Sequence, residues 1–127
     1  MTVRLCPPDR GQATVELALL LPLVALVLLA LVQAVVVARA QLLVTHAARE
    51  AARVAAVDPD PEAARRAAEN AGPLAPDRLA VDVGPRGPAG GRVRVAVSYK
   101  VPTRLPIVGR AIGDVTLRSE ATMRVER

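Results

Sequence analysis

The sequence predicts an α+β protein: a long N-terminal transmembrane helix that extends into a small domain with a short helix and a three-stranded antiparallel sheet. Three observations carry this. Residues 17–38 hold no charge. Residues 39–57 continue without Gly or Pro and are rich in Ala. Beyond residue 78, apolar and polar side chains alternate in three separate segments. The chain therefore divides into a leader at 1–11, a long helix at 12–57 with its span at about 17–38, and an α+β domain at 58–127. Its 127 residues leave room for one small domain.

The run LALLLPLVALVLLALVQAVVVA, residues 17–38, sets the first element. At about 1.5 Å per residue it reaches about 33 Å, against a hydrocarbon core of about 30 Å. A secretory signal has a shorter apolar region followed by a small-x-small site. Ala38-Arg39-Ala40 imitates that site and keeps the alternative open. Pro22 removes a helix hydrogen bond and bends the axis, which membrane helices tolerate when neighbours satisfy the freed carbonyl. Gln33 is the one other polar residue in the run. It reads equally as a hydrogen-bonding partner for a neighbouring helix or as a single tolerated amide.

Past the membrane the helix should persist to Val57, giving 13–57 a length of about 65 Å. Arg39, His46, Arg49, Glu50 and Arg53 fall within about 100° of arc and form a candidate partner-facing stripe, interrupted by Leu42. The bland alternative is a wet helix face on which Glu50 and Arg53 pair at i,i+3. Ala47, Ala48, Ala51, Ala52, Ala55 and Ala56 cover most of the remaining surface, and such small side chains let another helix approach closely.

Asp60 is placed to cap a short helix, with Pro61 at its first position and Glu62 in its first turn. That helix should run from Pro61 to Ala71 and stop at Gly72-Pro73. Leu79 to Val83 is a short strand. Gly84 to Gly91 is a Gly/Pro-rich loop. From Arg92, the side chains of Val93, Val95, Val97, Tyr99 and Val101 share one face. Pro102 to Asp114 is a connection, and a last strand puts Val115, Leu117, Ala121, Met123 and Val125 on its apolar face. Three strands with one apolar face each need a cover, from the short helix or from the Ala-rich half of the long one.

Composition narrows the function. Hydrophobic residues are 52% of the chain but aromatics only 1%, with Tyr99 alone. The apolar content is Ala, Val and Leu, concentrated near the start, as in a membrane protein. The net charge is +5, with Lys100 the one basic residue that is not Arg. The basic residues are spread out with no aromatics between them, so no nucleic-acid partner is expected. A lone cysteine, Cys6, makes no internal disulfide, and its neighbours do not form a lipidation box. No catalytic constellation, no metal ligand set and no cofactor motif is visible, and His46 has no partner for a metal site. The chain does not read as an enzyme.

The informative junction is Asp9-Arg10-Gly11-Gln12-Ala13-Thr14-Val15-Glu16-Leu17. Basic residues hold a leader on the cytoplasmic side. A Gly before a scissile bond lets backbone enter a narrow active site. Cutting after Gly11 would make Gln12 the new terminus and Glu16 the fifth residue of the mature chain. A carboxylate at the head of an apolar helix is unfavourable alone, but beside a neighbouring subunit's free amine it becomes a registry signal.

With these features the sequence resembles the type IV pilin superfamily, and within it the TadE-like proteins of tight-adherence pilus systems. The matching residues are Arg10-Gly11, Glu16, the run 17–38 and the segment from Thr45 to Arg53. The resemblance covers about 9–57. It implies a pseudopilin or minor pilin, cut between Gly11 and Gln12 by a prepilin peptidase and serving a pilus or related secretion machine. Glu16 would aid processing or subunit registry. The implied partners are that peptidase, other pilin or pseudopilin subunits, the inner-membrane assembly platform and the lipid bilayer. Pro22 departs from the pattern and puts the straightness of the helix head in doubt. The alternative is an uncleaved membrane-anchored module that binds an envelope component.

Orientation follows from the leader argument. The protein is expected in the cell membrane as a single-pass chain, N-terminus cytoplasmic and C-terminal domain extracytoplasmic, with incorporation into the pilus as an extension. Counting Arg4 and Arg10 against Arg39, Arg49 and Arg53 gives the opposite sense, but long downstream domains largely escape that rule.

Overall fold

The computed structural model describes residues 10–102 and 113–126. The leader residues 1–9, including Cys6, and most of the expected connection, 103–112, lie outside the described residues. In chain order the elements are helix α1 (Arg10–Val57), helix α2 (Pro61–Asn70), a 3-10 turn (Pro76–Arg78), and strands β1 (Leu79–Val83), β2 (Arg92–Val101) and β3 (Val115–Arg124). The fold class is the expected one. By contact density the chain forms two units, 1–34 and 35–127.

The first unit is the N-terminal part of α1. It continues unbroken through Pro22, whose missing N–H leaves the carbonyl one turn earlier without its helical donor. Its leucines and valines from Val15 to Val32 are all exposed, Leu19 at 71%. Among the described residues nothing covers the most apolar window of α1. A helix apolar all round must be covered by lipid or by other helices. By length and composition α1 supplies one segment able to cross a membrane.

The second unit holds the core. The sheet is an antiparallel meander in the order β1-β2-β3, a point the sequence had left open. Leu79 pairs with Tyr99 and Val83 with Val95, while Val93 pairs with Met123 and Val101 with Val115. Val93, Val95 and Val97 point inward and meet Val44, Ala47, Ala48, Ala51, Ala52, Ala55 and Ala56 of α1 together with Ala64 and Ala68 of α2. Both proposed covers are therefore used. The alanine face expected to receive another helix is occupied by the chain's own sheet and by α2. Small side chains at these positions let backbone layers approach closely, which offsets the lack of bulky aromatics.

Local chemistry fixes the connections. Asp60 caps α2: the main-chain N–H of Glu62 donates to its Oδ1 at 3.0 Å, and Pro61 opens the helix. α2 closes at Asn70, one residue before the expected end. The 3-10 turn at Pro76–Arg78 was not foreseen; there the N–H of Arg78 donates to the carbonyl of Ala75. Tyr99 is half-buried on the inner face, and its hydroxyl accepts from the N–H of Ala75 at 3.5 Å. Gly90 lies at φ 82°, and a Cβ on Gly91 would come within 2.8 Å of the Pro88 carbonyl, so the turn into β2 requires both glycines.

The register also shows how β3 is bordered. The N–H of Gly84 donates to the carbonyl of Arg94, so the even residues of β2 bond toward β1 and the odd ones toward β3. The even positions of β3 and its extension consequently turn their main-chain groups outward. α1 meets two of them: Gln41 Nε2 donates to the Arg118 carbonyl at 3.4 Å, and the N–H of Glu126 donates to the Ala56 carbonyl at 2.9 Å.

Candidate functional site

Two sets of residues were singled out by sequence, and they belong to different units. Gly11, Gln12 and Glu16 lie in the first. The described residues open in helix at Arg10, so the Gly11–Gln12 bond lies in helical backbone. Gly is the poorest helix former after Pro, by about 1 kcal/mol against Ala. A Cβ built on Gly11 meets nothing within 4 Å. Among the described residues, then, packing places no demand for glycine here. Glu16 is exposed, one turn below the bond.

The stripe lies in the second unit, on the flank of α1 that the core leaves uncovered. Arg39, His46, Arg49 and Arg53 are exposed and Glu50 is half-buried. Leu42, within the same arc, is 73% exposed. The structure brings Glu50 and Arg53 together: Arg53 Nε donates to Glu50 Oε2 at 3.1 Å, and its Nη2 reaches Oε1. The hydrogen bond from Arg53 holds the Glu50 carboxyl below its usual range against an opposing effect of burial, and the charges of Arg53 and His46 act in the same direction as the bond. The same pair raises the Arg53 guanidinium. Arg39 and Arg49 have no ion pair among the described residues, so this flank presents a net positive face interrupted by one large apolar side chain.

Sequence reasoning missed Arg86. It sits in the Gly/Pro loop, half-buried, and its Nη2 donates to the carbonyls of Ala56 at 3.1 Å, Val57 at 3.4 Å and Glu126 at 3.1 Å. The last turn of α1 contains no basic residue of its own. Arg86 therefore supplies the charge that a helix C-terminus favours and satisfies carbonyls that have no helical donor. The absent basic residue was the readable signal.

Gln33 carries the other polar feature. Its Nε2 is shielded from solvent and has no hydrogen-bond partner among the described residues. Among the described residues no group of three or more His, Cys, Asp or Glu is placed to hold a metal ion. One concave surface of the second unit, between Asp58 and Pro61 and the loop at Val83 to Arg86, is lined by acidic, proline and apolar residues together with Arg86.

Comparison with known proteins gives one match. The family model described as TadE-like protein fits residues 11–53. The match opens at Gly11 and ends at Arg53, within the 9–57 span on which the resemblance was read, and it stops before α2 and the sheet. No curated protein and no solved structure matches the chain.

Proposed function

We propose that this chain, with a TadE-like segment over residues 11–53, is a pseudopilin or minor pilin of a tight-adherence pilus or a related secretion machine. A prepilin peptidase cuts it between Gly11 and Gln12. The mature helix then enters an assembly with other pilin-type subunits on an inner-membrane platform, with Glu16 setting processing or registry at its head. The chain spans the cell membrane once, N-terminus cytoplasmic and sheet domain extracytoplasmic. The Arg39–Arg53 flank of α1 faces a partner.

The observation that carries this reading is the position of Gly11. The TadE-like match begins there, the uncharged run starts six residues later at Leu17, and packing among the described residues makes no use of the missing side chain. A glycine that packing among the described residues does not require, next to a helix those residues leave uncovered, fits a requirement imposed by another protein. A narrow proteolytic active site is such a requirement. The bond's place in helical backbone adds that the helix must open locally before cleavage, which a weak helix former eases.

Intact mass of the chain isolated from membranes of its native host tests the reading. The expected mature N-terminus is Gln12. Gly11→Leu is expected to leave the precursor whole, whereas Gly11→Ala, sterically free in the chain itself, reports how much room the peptidase allows. Recovery of residues 1–11 in the wild-type protein would instead support an uncleaved membrane-anchored module.

A further inference from the structure

The outer face of the sheet has no role in the processing or anchoring described above. It carries five basic side chains, Arg92, Arg94, Lys100, Arg118 and Arg124, against two acidic ones, Asp82 and Glu120. Arg94 is neutralised by Glu120 at 2.9 Å. Arg92 and Arg124 stand directly opposite one another across β2 and β3. By the hydrogen-bonding phase derived above they form a non-hydrogen-bonded pair, the closer of the two antiparallel spacings. Like charges so placed are mutually destabilising. Arg124 Nε donates to the Gly90 carbonyl at 3.2 Å, which fixes one member of the pair without cancelling its charge. Arg92 has no ion pair among the described residues. The small side chains of Ala80, Ala96 and Ser98 leave a depression at the centre of the face, bordered by Asp82 and Arg118.

The opposite side of the same unit carries the complementary charge. Asp58, Asp60 and Glu62 are all exposed where α1 gives way to α2. Asp60 is shared with Arg66 at 3.5 Å, while Asp58 and Glu62 have no ion pair among the described residues. The two patches stand at one end of the unit. Val125, next to Arg124, pairs with Gly91, next to Arg92, and Glu126 bonds to Ala56 two residues before Asp58. In two copies of this unit set side by side in the same sense, both patches therefore lie at the same end. Side by side, they meet without axial shift.

We propose that the Arg92/Arg124 face of one copy docks on the Asp58/Glu62 corner of a second copy. The contact joins different surfaces of the two copies, because a symmetric pairing would set like charges together. Such heterologous contacts repeat, and they close into rings or extend as filaments. Electrostatic complementarity of this kind fixes register and rejects wrong partners more than it adds raw affinity. The inference rests on the pilin-type reading, since it needs parallel copies in one membrane.

A charge exchange in the full chain, in detergent micelles, tests it by sedimentation. One variant carries Arg92→Glu with Arg124→Glu, the other Asp58→Arg with Glu62→Arg. Each alone is expected to associate about tenfold or more weakly than wild type, through like-charge contact. Mixed in equal amounts they should recover association, because every sheet face then finds a corner of opposite sign. That recovery also certifies that both variants fold. The proposal falls if either variant associates like wild type, or if the mixture stays apart. Intact mass of the same samples reads residues 1–11 independently, so a chain that exchanges charge as described yet keeps its leader would sink the processing reading and not this one.

Discussion

Arg86 donates to the Ala56 carbonyl at 3.1 Å across thirty residues of sequence. The same Nη2 contacts Glu126 at the far end of the chain, so one side chain ties the end of α1, the loop before β2 and the tail after β3. Replacing it by Ala is expected to lower domain stability by about 1.5–3 kcal/mol, the range for hydrogen bonds to a charged group. Arg86→Lys should keep the charge but only part of the fork and fall between. Chemical denaturation of the detergent-solubilised chain, followed by far-UV circular dichroism, measures both.

The alanine face makes a second expectation. Ala47, Ala48, Ala51 and Ala52 are fully buried against the sheet and α2. Ala51→Leu adds volume where none is free and should destabilise by about 1–3 kcal/mol. His46→Ala, on the uncovered flank, should leave the denaturation midpoint within about 0.5 kcal/mol of wild type. If both changes were silent, the packing of α1 against the sheet would be wrong.

The head of α1 separates processing from stability. Glu16→Ala is expected to leave the unfolding of the 35–127 unit unchanged while reducing incorporation into appendages. Glu16→Gln distinguishes charge from size, because only the carboxylate pairs with an amine. Immunodetection in sheared surface fractions, beside the membrane fraction, gives the readout.

Acid should loosen the stripe in a defined direction. The folded-state pKa of Glu50 is depressed by its bond to Arg53. Its contribution is therefore present above the ordinary unfolded carboxylate value and disappears as pH falls through the folded one. An Arg53→Met variant should lose that part of the acid dependence, with the difference from wild type vanishing at low pH. A thermal melt at several acidic pH values checks the sign.

The N-cap gives a fifth check. Asp60→Ala removes the acceptor for the Glu62 N–H and should cost about 0.5–2 kcal/mol. Asp60→Asn should retain most of it, since the amide oxygen can accept the same bond.

Much of this molecule was legible in its residues, for identifiable reasons. The strands were readable because valines alternate with charged residues at period two, and one face of a meander is all that such alternation requires. Asp60-Pro61 marked α2 because capping is decided within three residues. What escaped was long-range or context-bound. Nothing local announces that Arg86 closes a helix thirty residues earlier, and the 3-10 turn at Pro76–Arg78 depends on where Tyr99 presents its hydroxyl. The alanines signalled close approach correctly, but small side chains do not say whether a helix or a sheet will come near. At the head of α1, the motif singled out Gly11 and Glu16, while the helical state of the Gly11–Gln12 bond is something the leader pattern does not encode.

Gln41 and the Ala56 carbonyl, each held to a main-chain group at or just past the outward rim of β3, have a consequence for crowded conditions. A rim left bare would invite a foreign strand to add itself, and every added strand would offer a fresh rim in turn. With α1 standing at both ends of that rim, ribbon growth through backbone pairing has no ready starting point. Copies concentrated in one patch of membrane are steered to meet through their side chains, where sequence can decide which neighbours are accepted.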